Sequence, residues 1–264
     1  MPQFAVDGAD LTYDDEGPRD AGDVPLVFLH GWTADRHRWD HQMAHFAPGR
    51  RVIRLDLRGH GESGGAGVPT VDALARDVVA LLDHLGVDRC VPVGHSMGGM
   101  IAQSLALAHP DRVERLVLVN SISRMTYSRG RGLLMAASTR VPFKLFVAAN
   151  IRRAFAPGHP REEVRRYIRD SAAVPREVVM TLYAAMRAFD VLDRVGEIRV
   201  PVLLVHGLHD IQLPVRQMLR MATRYPDAVI RIVDAGHELP VERPAALTAA
   251  LDRFLTAPAP EPTA

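Results

Sequence analysis

The sequence predicts an α/β fold with a mostly parallel sheet, and three observations carry that expectation. Short apolar runs alternate with longer amphipathic ones along most of the chain. Gly, Pro or Asp bound each run, which leaves it too short for a helix. The runs are also nearly unbroken Val, Leu and Ile, as parallel strands buried on both faces require. The chain has 264 residues, 47% of them hydrophobic, enough for one domain with its own core and an insertion.

Two early strands, near Phe4–Val6 and Leu11–Asp15, read as an antiparallel pair because Asp7-Gly8 between them is a turn signal. Leu26–Leu29, Val52–Leu55, Cys90–Val93 and Leu116–Val119 follow as buried strands, then Val202–Val205 and Val229–Val233 after a long interval. Thr70–Leu85 has apolar residues at helical spacing and Gly86 to close it. Gly98–His109, Pro214–Ala222 and Pro244–Leu255 are the other helices of this alternating frame, and Ala257–Ala264 is a Pro/Ala tail expected to stay disordered. Residues 123–197 break the alternation: periodicity at Val164 and Ile168, and from Val178 to Phe189, is helical, and no strand is convincing. The expected organisation is therefore a core of residues 1–122 and 198–256, with 123–197 inserted as helices.

Composition removes several functions. With 32 basic and 31 acidic residues the formal charge is +1, so no global basic field points to nucleic acid. The single cysteine, Cys90, rules out an intrachain disulfide and any multi-cysteine metal site. No apolar run approaches the roughly 20 residues of a membrane span. The first ten residues lack the basic and apolar regions of a signal peptide, so a cytoplasmic protein is expected. Of the basic residues only Lys144 is lysine, a bias that weakens arginine as a sign of anion recognition. Residues 124–175 nevertheless hold eleven basic residues against three acidic ones, a local balance of +8. A solvated helix face accounts for such a run. An anionic substrate group or an acidic carrier protein would also use it.

Gly94-His95-Ser96-Met97-Gly98 lies directly after one strand and directly before a helix. In that setting G-x-S-x-G is a nucleophile elbow, whose turn is so tight that side chains two before or two after the serine would collide with backbone. A serine hydroxyl needs a base to become a nucleophile, and the base needs an orienting acid. His237, just past the last strand, is the expected base, chosen over His95, His206 and His209 by position. Asp210, after the seventh strand, is the expected acid; the sixth strand ends in Asn120-Ser121 without a carboxylate, and Asp234 is too near His237 in sequence. The expected oxyanion donors are the backbone N–H groups of Trp32, in His30-Gly31-Trp32 after the third strand, and of Met97. Asp56–Ser63 is glycine-rich but lacks a Gly-Lys-Ser/Thr ending, and reads as a structural turn.

Together these pieces resemble the α/β-hydrolase superfamily over nearly the whole chain. The resemblance rests on His30-Gly31-Trp32, the Asp56–Gly61 turn, the Gly94–Gly98 elbow, Asp210 and Gly236-His237. Pro110-Asp111-Arg112-Val113 and Glu242-Arg243-Pro244 are similar to segments of cap-bearing bacterial members. It implies an eight-stranded, mostly parallel sheet flanked by helices, its second strand antiparallel, with a helical cap at 123–197. It also implies a serine hydrolase that needs no metal or organic cofactor and acts on an ester, lactone or thioester of a small-molecule substrate. Serine at 96, where some branches carry Asp, argues against epoxide hydrolases and haloalkane dehalogenases. Carbon–carbon bond hydrolases, cyclases or lyases, and perhydrolases share the same triad, and a non-catalytic ligand-binding scaffold is the alternative of another class. The apolar stretch of the cap (Val141, Phe143, Leu145, Phe146, Val147, Phe155) suggests a hydrophobic pocket, with Trp32, Phe143, Phe146 and Leu213 as its expected lining.

Overall fold

Strands β1 (Gln3–Val6), β2 (Ala9–Glu16), β3 (Leu26–Leu29), β4 (Val52–Leu55), β5 (Val91–His95), β6 (Leu116–Val119), β7 (Val202–Gly207) and β8 (Ala228–Val233) form one sheet in a computed structural model that describes residues 1–19, 22–65, 70–126 and 142–257. Their order is β1-β2-β4-β3-β5-β6-β7-β8. Only β2 runs antiparallel to its neighbours, and β3 through β8 pair in parallel. The crossovers between parallel strands are made by helices, which cover both faces. This is the α/β-hydrolase architecture expected from the sequence.

The two-residue period of a strand divides the core. Val27, Leu29, Ile53 and Leu55 turn to the face covered by α2 (Val71–His84) and α3 (Met97–Ala108). Leu26, Phe28, Val52 and Leu203 turn to the opposite face, with α1 (Asp40–Phe46) and the last helix, Pro244–Thr256. Every residue of β3, β4, β6 and β7 is buried, which explains their mostly apolar character; the exceptions are Arg54 in β4, paired with Asp14, and His206 near the end of β7. At α2, Thr70 caps the first turn by accepting from the Ala73 N–H, and Gly86, at φ +60°, ends it.

Two departures from expectation have a local cause. Strand β5 runs to His95 rather than Val93, and α3 begins at Met97. Glycine reads as a breaker in sequence, whereas Gly94 here continues the strand because a bare Cα is needed where α3 closes on it. Helix α1 carries an apolar face too narrow to stand out in a seven-residue stretch rich in His, Gln and Asp.

Between β6 and β7 the described residues form α4 (Phe143–Ala154), α5 (Arg161–Ser171) and α6 (Arg176–Ala188), each starting directly after a proline. Beyond β7 come α7 (Val215–Ala222), the single turn α8 (Leu239–Glu242) and α9 (Pro244–Thr256). Residues 127–141, with Val141 of the apolar stretch, and 258–264 of the tail lie outside the described residues. No helix among the described residues is long and apolar enough to cross a membrane.

Candidate active site

Ser96 sits between β5 and α3 with φ +54° and ψ −113°, a left-handed conformation that a non-glycine residue adopts only when its surroundings impose it. A Cβ on Gly94 would strike the Gly98 carbonyl, and one on Gly98 would strike the Leu29 carbonyl. The Ser96 N–H donates to the Val119 carbonyl (2.9 Å), and the Ser96 carbonyl accepts from the Ser121 hydroxyl (2.8 Å). The strained turn is thus held by β6 on one side and by close backbone packing on the other.

Residues far apart in sequence meet at this serine. His237 Nε2 lies 3.0 Å from Ser96 Oγ, and His237 Nδ1 lies 2.7 Å from Asp210 Oδ2. Asp210 is buried and fully engaged: Oδ1 accepts the N–H groups of Gln212 and Leu213, both at 2.8 Å, and Oδ2 also accepts from Asn120 Nδ2 at 2.7 Å. Burial alone would raise its pKa, but the His237 imidazole beside it and these hydrogen bonds outweigh that and hold the carboxyl below the usual carboxylate range. For His237 the balance runs the other way. Burial lowers its pKa, and the Asp210 charge and hydrogen bond overcome it, so the imidazole titrates above its ordinary value. Nδ1–H faces the carboxylate, which leaves the Nε2 lone pair toward the serine hydroxyl.

The other histidines have different work. His95 packs against the His237 ring, with centroids 5.0 Å apart, and its Nε2–H donates to the His237 carbonyl (2.8 Å). Burial pushes its pKa down to about 4, so it stays neutral. His206 donates to the Leu213 carbonyl and braces the Asp210 turn. His209 and Asp234 pair with each other at the surface, so Asp234 is engaged there while Asp210 faces His237.

The loop after β3 comes over the serine. Its Trp32 N–H and the Met97 N–H, first in α3, meet no acceptor among the described residues. The helix dipole adds a partial positive charge at Met97. His30 makes no donor for this site. Its Nε2 accepts the Leu57 N–H (2.9 Å) and its Nδ1–H donates to the Gly31 carbonyl (2.8 Å), tying the loops after β3 and β4 together. In the Asp56–Ser63 turn, the Asp56 carboxylate is consumed internally by the Arg36 side chain and by the N–H groups of Arg36 and Glu62.

A cavity of about 80 Å³ opens above Ser96, lined by Trp32, Met100, Ile151, Tyr183, Met186 and Leu213 together with the polar Asn150 and Gln212. Of the four side chains expected there, Trp32 and Leu213 line it and Phe143 and Phe146 do not. Trp32 stands in the way: its indole N–H is fixed to the Val179 carbonyl (2.9 Å), and Phe146 packs edge-on behind it, 6.2 Å away. Phe143 joins the cluster of Val147, Ile151, Phe155 and Tyr167. Met186 belongs to the helical periodicity legible in the sequence, and Met100 lies one turn past the elbow, so both carried a signal. Asn120 and Glu242 carried none beyond their position. No Arg or Lys lines this cavity among the described residues. Arg124 is paired with Asp190 and Asp193, and Arg152 and Arg153 face a separate surface cleft. Nor do the described residues hold a group of three or more side chains placed to bind a metal.

Known proteins agree with the architecture. A family profile for the alpha/beta hydrolase fold matches residues 24–244. A protein from Agrobacterium fabrum (strain C58), named "Putative carbamate hydrolase RutD", is 29% identical over 256 residues, covering 93% of this chain and 98% of that one. A bifunctional esterase/perhydrolase of Acinetobacter calcoaceticus is 34% identical over 230 residues, covering 79% and 81%. Among solved structures, the enol-lactonase of Burkholderia xenovorans LB400 superposes with a TM-score of 0.90 at 28% identity, covering 97% of this chain and all of that one (100%).

Proposed function

The chain belongs to the α/β-hydrolase family, and from that premise we propose that it is a serine hydrolase cleaving an ester-type bond, in an ester or lactone, of a small and partly hydrophobic substrate. The observation that carries this reading is the unbroken relay from Ser96 Oγ through His237 to Asp210, 3.0 and 2.7 Å per link, at the floor of a cavity.

In this reading His237 Nε2 takes the Ser96 proton as Oγ attacks the substrate carbonyl. The N–H groups of Trp32 and Met97 hold the oxyanion that forms, a contribution of about 3 kcal/mol for each such donor. Collapse expels the alcohol, protonated by the imidazolium, and leaves an acyl-serine. A water then gives its proton to His237, attacks the acyl carbon and frees the acid, and the proton returns to Ser96. Asp210 keeps Nδ1 protonated and stabilises the imidazolium. No metal or organic cofactor enters the cycle.

The cavity lining argues for an uncharged acyl group. Trp32, Met100, Met186 and Leu213 supply apolar contact, and among the described residues the one acid that lines it, Glu238, is ion-paired with Arg38 at 2.9 Å. The 34% identity to an esterase/perhydrolase favours a second reading with the same acyl-serine, in which hydrogen peroxide replaces water as acceptor. Turnover of 4-nitrophenyl acetate and of a simple lactone, with and without peroxide, tests both. Ser96→Ala must abolish every one of these activities while leaving thermal unfolding unchanged. An unchanged rate would overturn the proposal.

A further inference from the structure

The loop that carries His237 is fastened to the inserted helices through one buried carboxylate. Three consecutive amides of that loop are engaged. The Gly236 N–H donates to Glu242 Oε2 (3.1 Å), the His237 N–H to the Ala154 carbonyl (2.6 Å), and the Glu238 N–H to Glu242 Oε1 (3.1 Å). Glu242 Oε2 also accepts from the Ala156 N–H (2.8 Å), just beyond the end of α4. Glu242 is 6% exposed, and the titratable and charged groups facing it among the described residues are Glu238, itself paired with Arg38, His159 and the His237 imidazole. Gly236 is glycine because the two segments touch there. A Cβ would meet Ala156 N, Ala154 O and the Glu242 carboxylate within 2.5 to 2.8 Å.

We infer that Glu242 is a positioning residue: its carboxylate joins the His237 loop to residues 154–156, so that the base stays aligned on Ser96 only while the end of α4 is seated. The inference rests on the reading of His237 as the base. A carboxylate suits the task because charge-assisted bonds from backbone N–H groups are about twice as strong as neutral ones. The loop needs it because the Gly236 and Glu238 amides meet no other acceptor among the described residues, and the Ala154 carbonyl holds only the His237 amide between them. A second tie, from Gln212 Nε2 to the Asn150 carbonyl (3.0 Å), links the Asp210 turn to the same helix. Movement of α4 therefore reaches both the base and its acid. A shift of about 1 Å in such a group costs up to about 10²-fold in rate.

The test compares wild type, Glu242→Gln and Gly236→Ala in hydrolysis of 4-nitrophenyl acetate across the acid limb of the pH profile. Wild-type turnover is the control for the reading beneath: an inactive wild type breaks the proposed function, whereas an active wild type with unaffected variants breaks only this inference. Both variants are expected to lose between about 10- and 100-fold in kcat with KM changed less than about twofold. Glu242→Gln, which removes a negative charge that supports the imidazolium, should also move the acid limb to lower pH. Gly236→Ala, which only pushes the segments apart, should leave the limb in place. Retention of kcat within twofold in both, or a loss confined to KM, overturns the inference. If Glu242→Gln does not fold, Gly236→Ala decides alone.

Discussion

The elbow around Ser96 and the inserted helices α4–α6 hold their side chains by opposite means. At the elbow, backbone does most of the holding: Gly94 and Gly98 leave no room for a methyl group, and the Val119 carbonyl of β6 grips the Ser96 N–H, with the Ser121 hydroxyl just beyond β6 on the Ser96 carbonyl. The inserted helices reach the site through a few side-chain ties, such as Trp32 to Val179 and Gln212 to Asn150. Backbone contacts tolerate almost no substitution, while side-chain ties can be exchanged singly. The elbow should therefore govern kcat, and the inserted helices the choice of substrate, touching kcat only through the seat of α4 against the His237 loop.

Substitutions can break or sharpen that contrast. The largest effect belongs to Ser96→Ala, which removes the proposed nucleophile and should cost kcat about 10⁴-fold or more with the fold intact. Asp210→Asn comes next, at about 10³- to 10⁴-fold, because the amide no longer holds the productive tautomer. Its sign in pH is fixed too. His237 must be neutral to accept a proton, and the Asp210 charge raises its pKa, so wild-type kcat/KM climbs as pH rises through that raised value. Without the charge the acid limb must move to lower pH. Gly98→Ala should destabilise by about 3 kcal/mol in denaturant unfolding, since its Cβ meets a carbonyl that cannot retreat. Trp32→Phe keeps the backbone N–H but loses the bond to Val179, worth about 1 kcal/mol. Its mark should be a changed preference among acyl chains, with kcat nearly unaltered. If Trp32→Phe hurts kcat as much as Asp210→Asn, the contrast fails.

The same contrast explains what was legible in the sequence. The elbow announces itself because close backbone approach demands glycine at fixed offsets, and strand burial on both faces leaves continuous apolar runs. Asp210 and His237 stand out in the sequence by their place after β7 and β8, and the structure brings both to Ser96. Phe143 and Phe146 lie off the cavity, against the expectation, because which face of α4 meets it depends on Trp32, more than a hundred residues earlier. Asn120 looked like a mere absence of carboxylate, yet its amide donates to Asp210. Glu242 drew notice only as the prelude to Pro244, because its role depends on three backbone amides that meet it only in the folded chain. Strand β5 runs two residues past its apolar run because Gly94, a breaker by composition, supplies the bare Cα that α3 needs there.

Intact-mass and peptide mapping after treatment with a fluorophosphonate test the central claim most directly. The account predicts a single adduct on Ser96, formed faster as His237 loses its proton and absent in Ser96→Ala. A wild-type protein that stays unlabelled, or an adduct that persists when Ser96 is gone, would contradict it.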